Sequence, residues 1–152
     1  MLVSGDFVCT AFRFGDNIIT AKHCVIADEM VYQDVDKSYK ITLKASDFKA
    51  TEGDIAYTKR LPNIASVGRF VEVRHTVLGK ELRHKAEVVF VGKVKELTRI
   101  VDNIYWLSPE TEIILAKGIS LGGMSGSPVV SNNRLVGVMS GGGAGFLIIV
   151  RD

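Results

Sequence analysis

Cysteine is nearly missing from this sequence: 152 residues hold two, Cys9 and Cys24. Two thiols cannot build a disulfide framework, so the chain has to fold on its own apolar core. Proline is scarce as well, three residues against fifteen glycines, a balance that suits many tight turns between strands. No hydrophobic run is long enough to span a bilayer. The longest uncharged one, residues 118–130, is broken by glycines and by Ser120, Ser125 and Ser127. The opening Met1-Leu2-Val3-Ser4-Gly5-Asp6 has neither a basic segment nor a long apolar stretch, so no signal peptide is expected. Neither sign of charge dominates. A formal net charge of +2, with Lys and Arg scattered, gives no footprint for nucleic acid or an acidic membrane surface. Three histidines and two cysteines show no metal-ligand spacing, so neither metal nor cofactor is expected. No repeat of solenoid period occurs.

What is present is an ordinary globular composition, 47% hydrophobic and 24% charged. A chain of this length makes one domain, or two half-domains sharing a core, and hides about 68–70% of its unfolded surface. Strand patterns dominate it. Phe7 to Phe14 is rich in β formers, and Gly15-Asp16-Asn17 turns the chain into Ile18-Ile19-Thr20. Ser38 to Lys44 alternates Tyr39, Ile41 and Leu43 with polar residues, and Asp54 to Lys59 is a short strand. Arg69 to Leu78 sets Val71, Val73 and His75 against Phe70, Glu72 and Arg74, and Lys85 to Val94 is a second long run. Asn103 to Leu107, Glu112 to Ala116, Val129 to Ser131, Arg134 to Met139 and Phe146 to Val150 complete the set. Asn132-Asn133 suits a hairpin turn, and Val25 to Val31 is the best helix candidate. The fold class is all-β, a barrel or a sandwich, with Leu61 to Gly68 as the expected boundary between two halves.

Three stretches carry chemistry. Gly122-Gly123-Met124-Ser125-Gly126-Ser127-Pro128 places a serine among glycines that free the backbone and let substrate come close. Alone, it would also suit a Gly/Ser loop joining two strands. Thr20-Ala21-Lys22-His23-Cys24 puts a histidine directly after a strand, where it can stand rigidly over a cleft as a general base. Gly53-Asp54-Ile55-Ala56-Tyr57 offers a carboxylate at a strand start, able to fix an imidazole's tautomer. His75 and His84 lie among charged residues and are expected to be exposed. No histidine follows Ser125, which excludes the Ser, acid, His order of an α/β-hydrolase. A cysteine nucleophile is disfavoured too, because Cys24 abuts His23 and Cys9 has no glycine elbow.

In the order His, Asp, Ser, these pieces resemble the chymotrypsin-like serine proteases. Leu135-Val136-Gly137-Val138-Met139-Ser140-Gly141-Gly142 adds a likeness to the family's substrate-pairing strand, so the resemblance runs from about Phe7 to Val150. It implies two antiparallel six-stranded β-barrels, residues 1–62 and 63–152, with the active site in the cleft between them. It implies Ser125 as nucleophile, His23 as general base and acid, Asp54 as orienting carboxylate, and the backbone N–H groups of Gly123 and Ser125 as oxyanion hole. Ile119, Ser120, Met139, Ser140, Gly141 and Gly142 would bind substrate. No carboxylate waits there for a Lys or Arg side chain, so an apolar or uncharged P1 residue is favoured, with an acidic one held by Lys117 or Arg134 as the rival. Cys9 and Cys24 match positions that form a disulfide in secreted relatives, whereas a cytosolic protein would keep them reduced; both states stay open. Met124 stands where cellular relatives carry an Asp that pairs with a newly cut N-terminus, so it is expected to fill that site as packing. The compact body resembles polyprotein-processing and capsid proteases of positive-strand RNA viruses. That likeness implies a polypeptide substrate, its own polyprotein included, and the host cytoplasm as the place of action. A binding scaffold, a single-turnover self-cleaving protein and a compact bacterial protease are the alternatives.

Overall fold

Fourteen strands and two single 3₁₀ turns, with no α-helix, make up the described residues 1–77, 79–93, 111–143 and 145–151 of the computed structural model. The first half forms two four-stranded sheets. One has the order β2-β1-β5-β6, from β1 (Leu2–Ser4), β2 (Phe7–Cys9), β5 (Met30–Gln33) and β6 (Lys40–Leu43). The other has the order β3-β4-β8-β7, from β3 (Phe12–Phe14), β4 (Asn17–Ala21), β7 (Lys49–Ala50) and β8 (Ile55–Tyr57). Leu2, Cys9, Ile18, Ala21, Cys24, Met30, Tyr32 and Leu43, drawn from both sheets and the turn after β4, close over one apolar core.

The second half is a closed six-stranded barrel of order β10-β11-β14-β13-β12-β9. Its strands are β9 (Phe70–Val77), β10 (Lys80–Lys93), β11 (Glu112–Lys117), β12 (Pro128–Ser131), β13 (Arg134–Gly143) and β14 (Phe146–Arg151). All its pairings are antiparallel. Val71, Val73, Ala86, Ile114, Met124, Val129, Met139 and Ile149 fill the interior, each large aliphatic contributing about 1.5–3 kcal/mol by leaving water. Asn132 and Asn133, at φ 53° and 63°, make the left-handed hairpin turn that their sequence suits.

Three expectations change. Phe7 to Phe14 is split into β2 and β3, because at Thr10 the chain leaves one sheet for the other and turns its N–H to the Ser125 carbonyl, at 2.9 Å. Val25 to Val31 holds no helix. A 3₁₀ turn ends at Cys24, and Met30 and Tyr32 point inward in period two as part of β5. β10 starts at Lys80, earlier than its sequence pattern, since Gly79 at φ +77° turns β9 directly into it. The expected strand at Asn103 to Leu107 lies outside the described residues, as do Leu78 and Val94.

Candidate active site

Each of the three candidate side chains is set by a feature of its own element. His23 sits in the 3₁₀ turn Lys22–Cys24 that terminates β4, a turn closed by Val25 N–H donating to the Lys22 carbonyl. Asp54 precedes β8 and adopts φ +73°, a left-handed conformation that Asp tolerates better than most residues. Thr51 Oγ1 accepts from the N–H groups of Gly53 and Ile55, each at 3.2 Å, and pins the loop that carries it. Ser125 lies between two positive-φ glycines, Gly123 at +86° and Gly126 at +88°.

Asp54 and His23 meet directly. His23 Nδ1 and Asp54 Oδ2 are 2.8 Å apart, and the His23 backbone N–H donates to Asp54 Oδ1 at 2.9 Å. A third donor, Ser140 Oγ, reaches Asp54 Oδ2 at 2.6 Å. The carboxylate thus grips His23 twice, once through its ring and once through its backbone, which orients the ring. The imidazole side chain is 39% exposed and the carboxylate 14%, so the base faces solvent while its partner is sheltered. Ser125 Oγ donates to the Ser140 carbonyl at 3.1 Å. Ser140 therefore bonds Ser125 through its carbonyl and Asp54 through its hydroxyl, and is itself fully buried.

The cysteine question is decided: Cys9 and Cys24 are bonded to each other, and Cys24 Sγ lies 3.8 Å from the Ser125 carbonyl. Neither is a free thiol. Met124 is fully buried in the barrel core, and the Leu121 N–H points at its sulfur at 3.1 Å.

Of the residues expected to bind substrate, Ile119 is 76% exposed, whereas Met139 and Ser140 are fully buried and offer substrate no side-chain surface here. Met139 belongs to the barrel core, one of the inward residues on β13. Ser120 and Gly142 come together: a Cβ on Gly142 would lie 2.8 Å from Ser120 Cβ, so glycine at 142 lets the strand lie against the 118–122 segment. Gly141 is buried in β13 beside it. Ala144, two residues beyond Gly142, lies outside the described residues. A cavity of about 520 Å³ opens beside Ile119, lined also by His84, Lys85, Gly118, Leu121 and Leu147. Lys117 is 3.6 Å from Glu87, and Arg134 sits at the Asn132-Asn133 end of β13, about 20 Å along the strand from Ser140. The basic groups lining this cavity are His84 and Lys85 instead.

His75 corrects the expectation of exposure. It is 1% exposed, on the same face of β9 as Val71 and Val73, and its ring lies 5.7 Å from that of His84, itself half-buried. The flanking charges suggested a surface residue, but period-two alternation governs the side chain's direction. Both His75 ring nitrogens are buried without a hydrogen-bond partner among the described residues. Burial, aided by neighbouring His84, holds its pKa below the ordinary histidine value. His75→Leu is therefore expected to stabilise the fold at neutral pH by about 1–3 kcal/mol, the cost of burying unpaired polar atoms. The sign with pH follows from linkage. Below pH of about 6.5 the unfolded chain takes up a proton that folded His75 resists, so the wild type loses stability as pH falls and the variant loses less. Urea melts of both proteins from pH 5 to 8 measure this; a gap that does not widen below pH 6.5 contradicts it.

Sequence reasoning also missed Thr10, Thr20 and the double role of Ser140. Thr10 lies in a stretch that looks like continuous strand, and nothing local marks it. For Ser140, its place in the resembling strand was the one available signal.

No protein-family model matches the chain, and no curated protein matches it. Solved structures do. The serine protease of a human pathogenic astrovirus superposes with a TM-score of 0.66 at 17% identity, covering 99% of this chain and 86% of that one. The Rv3671c protease of Mycobacterium tuberculosis, in its inactive form, gives 0.67 at 16% identity over 98% and 80%. The murine norovirus NS6 protease, in an inactive form with a C-terminal extension that includes residues P1 prime to P4 prime of NS7, gives 0.57 at 17% identity over 99% and 93%. At these identities the likeness establishes the fold, which is chymotrypsin-like.

Proposed function

We propose that this chain is a serine endopeptidase that cleaves polypeptides through an acyl-enzyme intermediate. The observation that carries the reading is the network joining Ser125, Ser140, Asp54 and His23, in which Asp54 Oδ2 holds His23 Nδ1 at 2.8 Å. With Nδ1 engaged, Nε2 is left as the proton acceptor. Ser125 Oγ swings from the Ser140 carbonyl, gives its proton to Nε2 and attacks the scissile carbonyl. The oxygen of that carbonyl takes the negative charge and is received by the N–H groups of Gly123 and Ser125. Collapse breaks the C–N bond, the leaving amine takes the proton from the imidazolium, and Ser125 is left as an ester. Water activated by the same Nε2 repeats the sequence and releases the acid.

The norovirus protein raises a thiol nucleophile as a rival. It is disfavoured here because both cysteines of the sequence are spent in one disulfide. The chain reads as two halves, 1–62 and 63–152, with His23 and Asp54 from the first and Ser125 from the second. We further propose an uncharged rather than a basic P1 residue, since among the described residues no carboxylate lines the cavity beside Ile119. Processing of a viral polyprotein suits the compact body and the two viral neighbours, and the mycobacterial neighbour is its counterweight.

The test is titration with a fluorophosphonate, followed by peptides in trans that differ only at P1: Leu, Phe, Gln, Glu and Arg. Labelling of Ser125 with turnover, fastest on an uncharged P1, is expected. Labelling without turnover means a single-turnover self-cleaving protein, and no labelling means a scaffold. Fastest cleavage after Arg overturns the pocket reading, and fastest cleavage after Glu moves substrate holding to His84 and Lys85.

A further inference from the structure

The two oxyanion donors belong to the Gly122–Gly123 and Met124–Ser125 peptides, so the peptide between them, Gly123–Met124, sets their mutual geometry. That middle peptide is clamped at both ends. Its N–H donates to the Leu121 carbonyl at 3.1 Å, closing a turn whose third residue, Gly123, has φ +86°. Its carbonyl accepts from the Thr10 hydroxyl at 2.9 Å, across 113 residues of sequence. Thr10 is 1% exposed, and its Oγ1 also accepts from the Thr76 N–H at 3.2 Å, which fixes the direction in which the hydroxyl donates. Its own backbone is held too: its N–H donates to the Ser125 carbonyl and its carbonyl accepts from Thr20 Oγ1, each at 2.9 Å.

Resting on the protease reading, we infer that Thr10 is a positioning residue for the oxyanion hole, its hydroxyl locking the Gly123 carbonyl so that the N–H groups of Gly123 and Ser125 converge on one point. Thr10 touches no reacting atom and acts through the loop alone. Without the hydroxyl, rotation about Gly123 is opposed at one end only. A glycine at positive φ has little steric barrier to that rotation, and the two donors lose their common aim.

The variants are Thr10→Val, which keeps the shape and removes the donor, and Thr10→Ser, which restores it. Thr10→Val is expected to lower kcat by about 10- to 100-fold with KM within about twofold, and to weaken a peptide aldehyde that binds as a tetrahedral oxyanion by a similar factor. Thr10→Ser is expected to recover most of both. Amide hydrogen exchange at Gly123 and Met124 is followed in the same proteins and does not depend on turnover. It is expected to speed up in Thr10→Val and return in Thr10→Ser. A folded Thr10→Val with wild-type kcat and unchanged exchange overturns the inference, as does a loss that Thr10→Ser fails to rescue. A wild type that neither labels nor turns over removes the protease reading instead. In that case exchange alone decides whether Thr10 sets the loop.

Discussion

Ser125→Ala abolishes peptide hydrolysis and leaves a folded protein: this is the largest loss of activity expected of any single change in the chain. By analogy with other triads, which act as units, the fall in kcat is about 10⁶-fold. His23→Ala is expected to cost about as much, and the double variant little more. Asp54→Asn falls short of this or equals it, since an amide has one accepting oxygen and cannot take the His23 backbone N–H on one side and the imidazole N–H with Ser140 Oγ on the other, as the carboxylate does. A residual rate about 10³–10⁴-fold above water remains from the oxyanion hole and substrate binding. Folding survives because, among the described residues, the Ser125 side chain makes one hydrogen bond, to the Ser140 carbonyl, while the loop is held by the backbone: Thr10 N–H to the Ser125 carbonyl and Gly126 N–H to the Met139 carbonyl. Steady-state kinetics together with a thermal melt check both halves of the claim. Wild-type turnover in Ser125→Ala refutes the assignment.

The largest loss of stability is expected one residue further on. A Cβ on Gly126 would lie 1.9 Å from the Thr10 carbonyl oxygen and 2.3 Å from Thr20 Oγ1, at a φ of +88° that L side chains rarely adopt. Backbone and a buried hydroxyl cannot both retreat without breaking the Thr20–Thr10 hydrogen bond. Gly126→Ala is therefore expected to lose more than about 4–5 kcal/mol or to fail to fold. Gly122, four residues earlier in the same loop, has nothing among the described residues within 4 Å of its own imagined Cβ, so Gly122→Ala is expected to be nearly neutral for stability. Urea denaturation of the pair measures the contrast; two equally stable variants would sink it.

The contrast between these glycines shows where sequence reasoning stops. Both stand in Gly-rich surroundings, and the requirement at 126 is imposed by Thr10 and Thr20, more than a hundred positions away. The strands were legible where period two or a turn signal was local, as in β9 or the Asn132-Asn133 hairpin. Short strands such as Leu2–Ser4 and Lys49–Ala50 carry too few residues to show a period. His23, Asp54 and Ser125 stood out because each lies in a short stretch of recognisable composition, and the structure brings the first two into contact. Ser140 and Thr10 contribute through hydrogen bonds across the fold, which leave no local trace. His75 is misread from sequence because its charged neighbour Arg74 suggests a surface, although Arg74 lies on the opposite face of the sheet from the ring.

The order of strands around the barrel also sets a clock on biosynthesis. β14, synthesised after both of its neighbours, is inserted between β11 and β13. Until residues 146–151 emerge, those two strands present unpaired edges and the ring stays open. β13 carries Ser140, to which both Ser125 and Asp54 are tied, so a nascent chain holds all three candidate catalytic side chains before it holds the frame that aligns them. Such late, non-local closure is slow relative to local hairpin formation. On the protease reading, a growing chain lacks the frame that aligns these side chains until synthesis has passed Arg151.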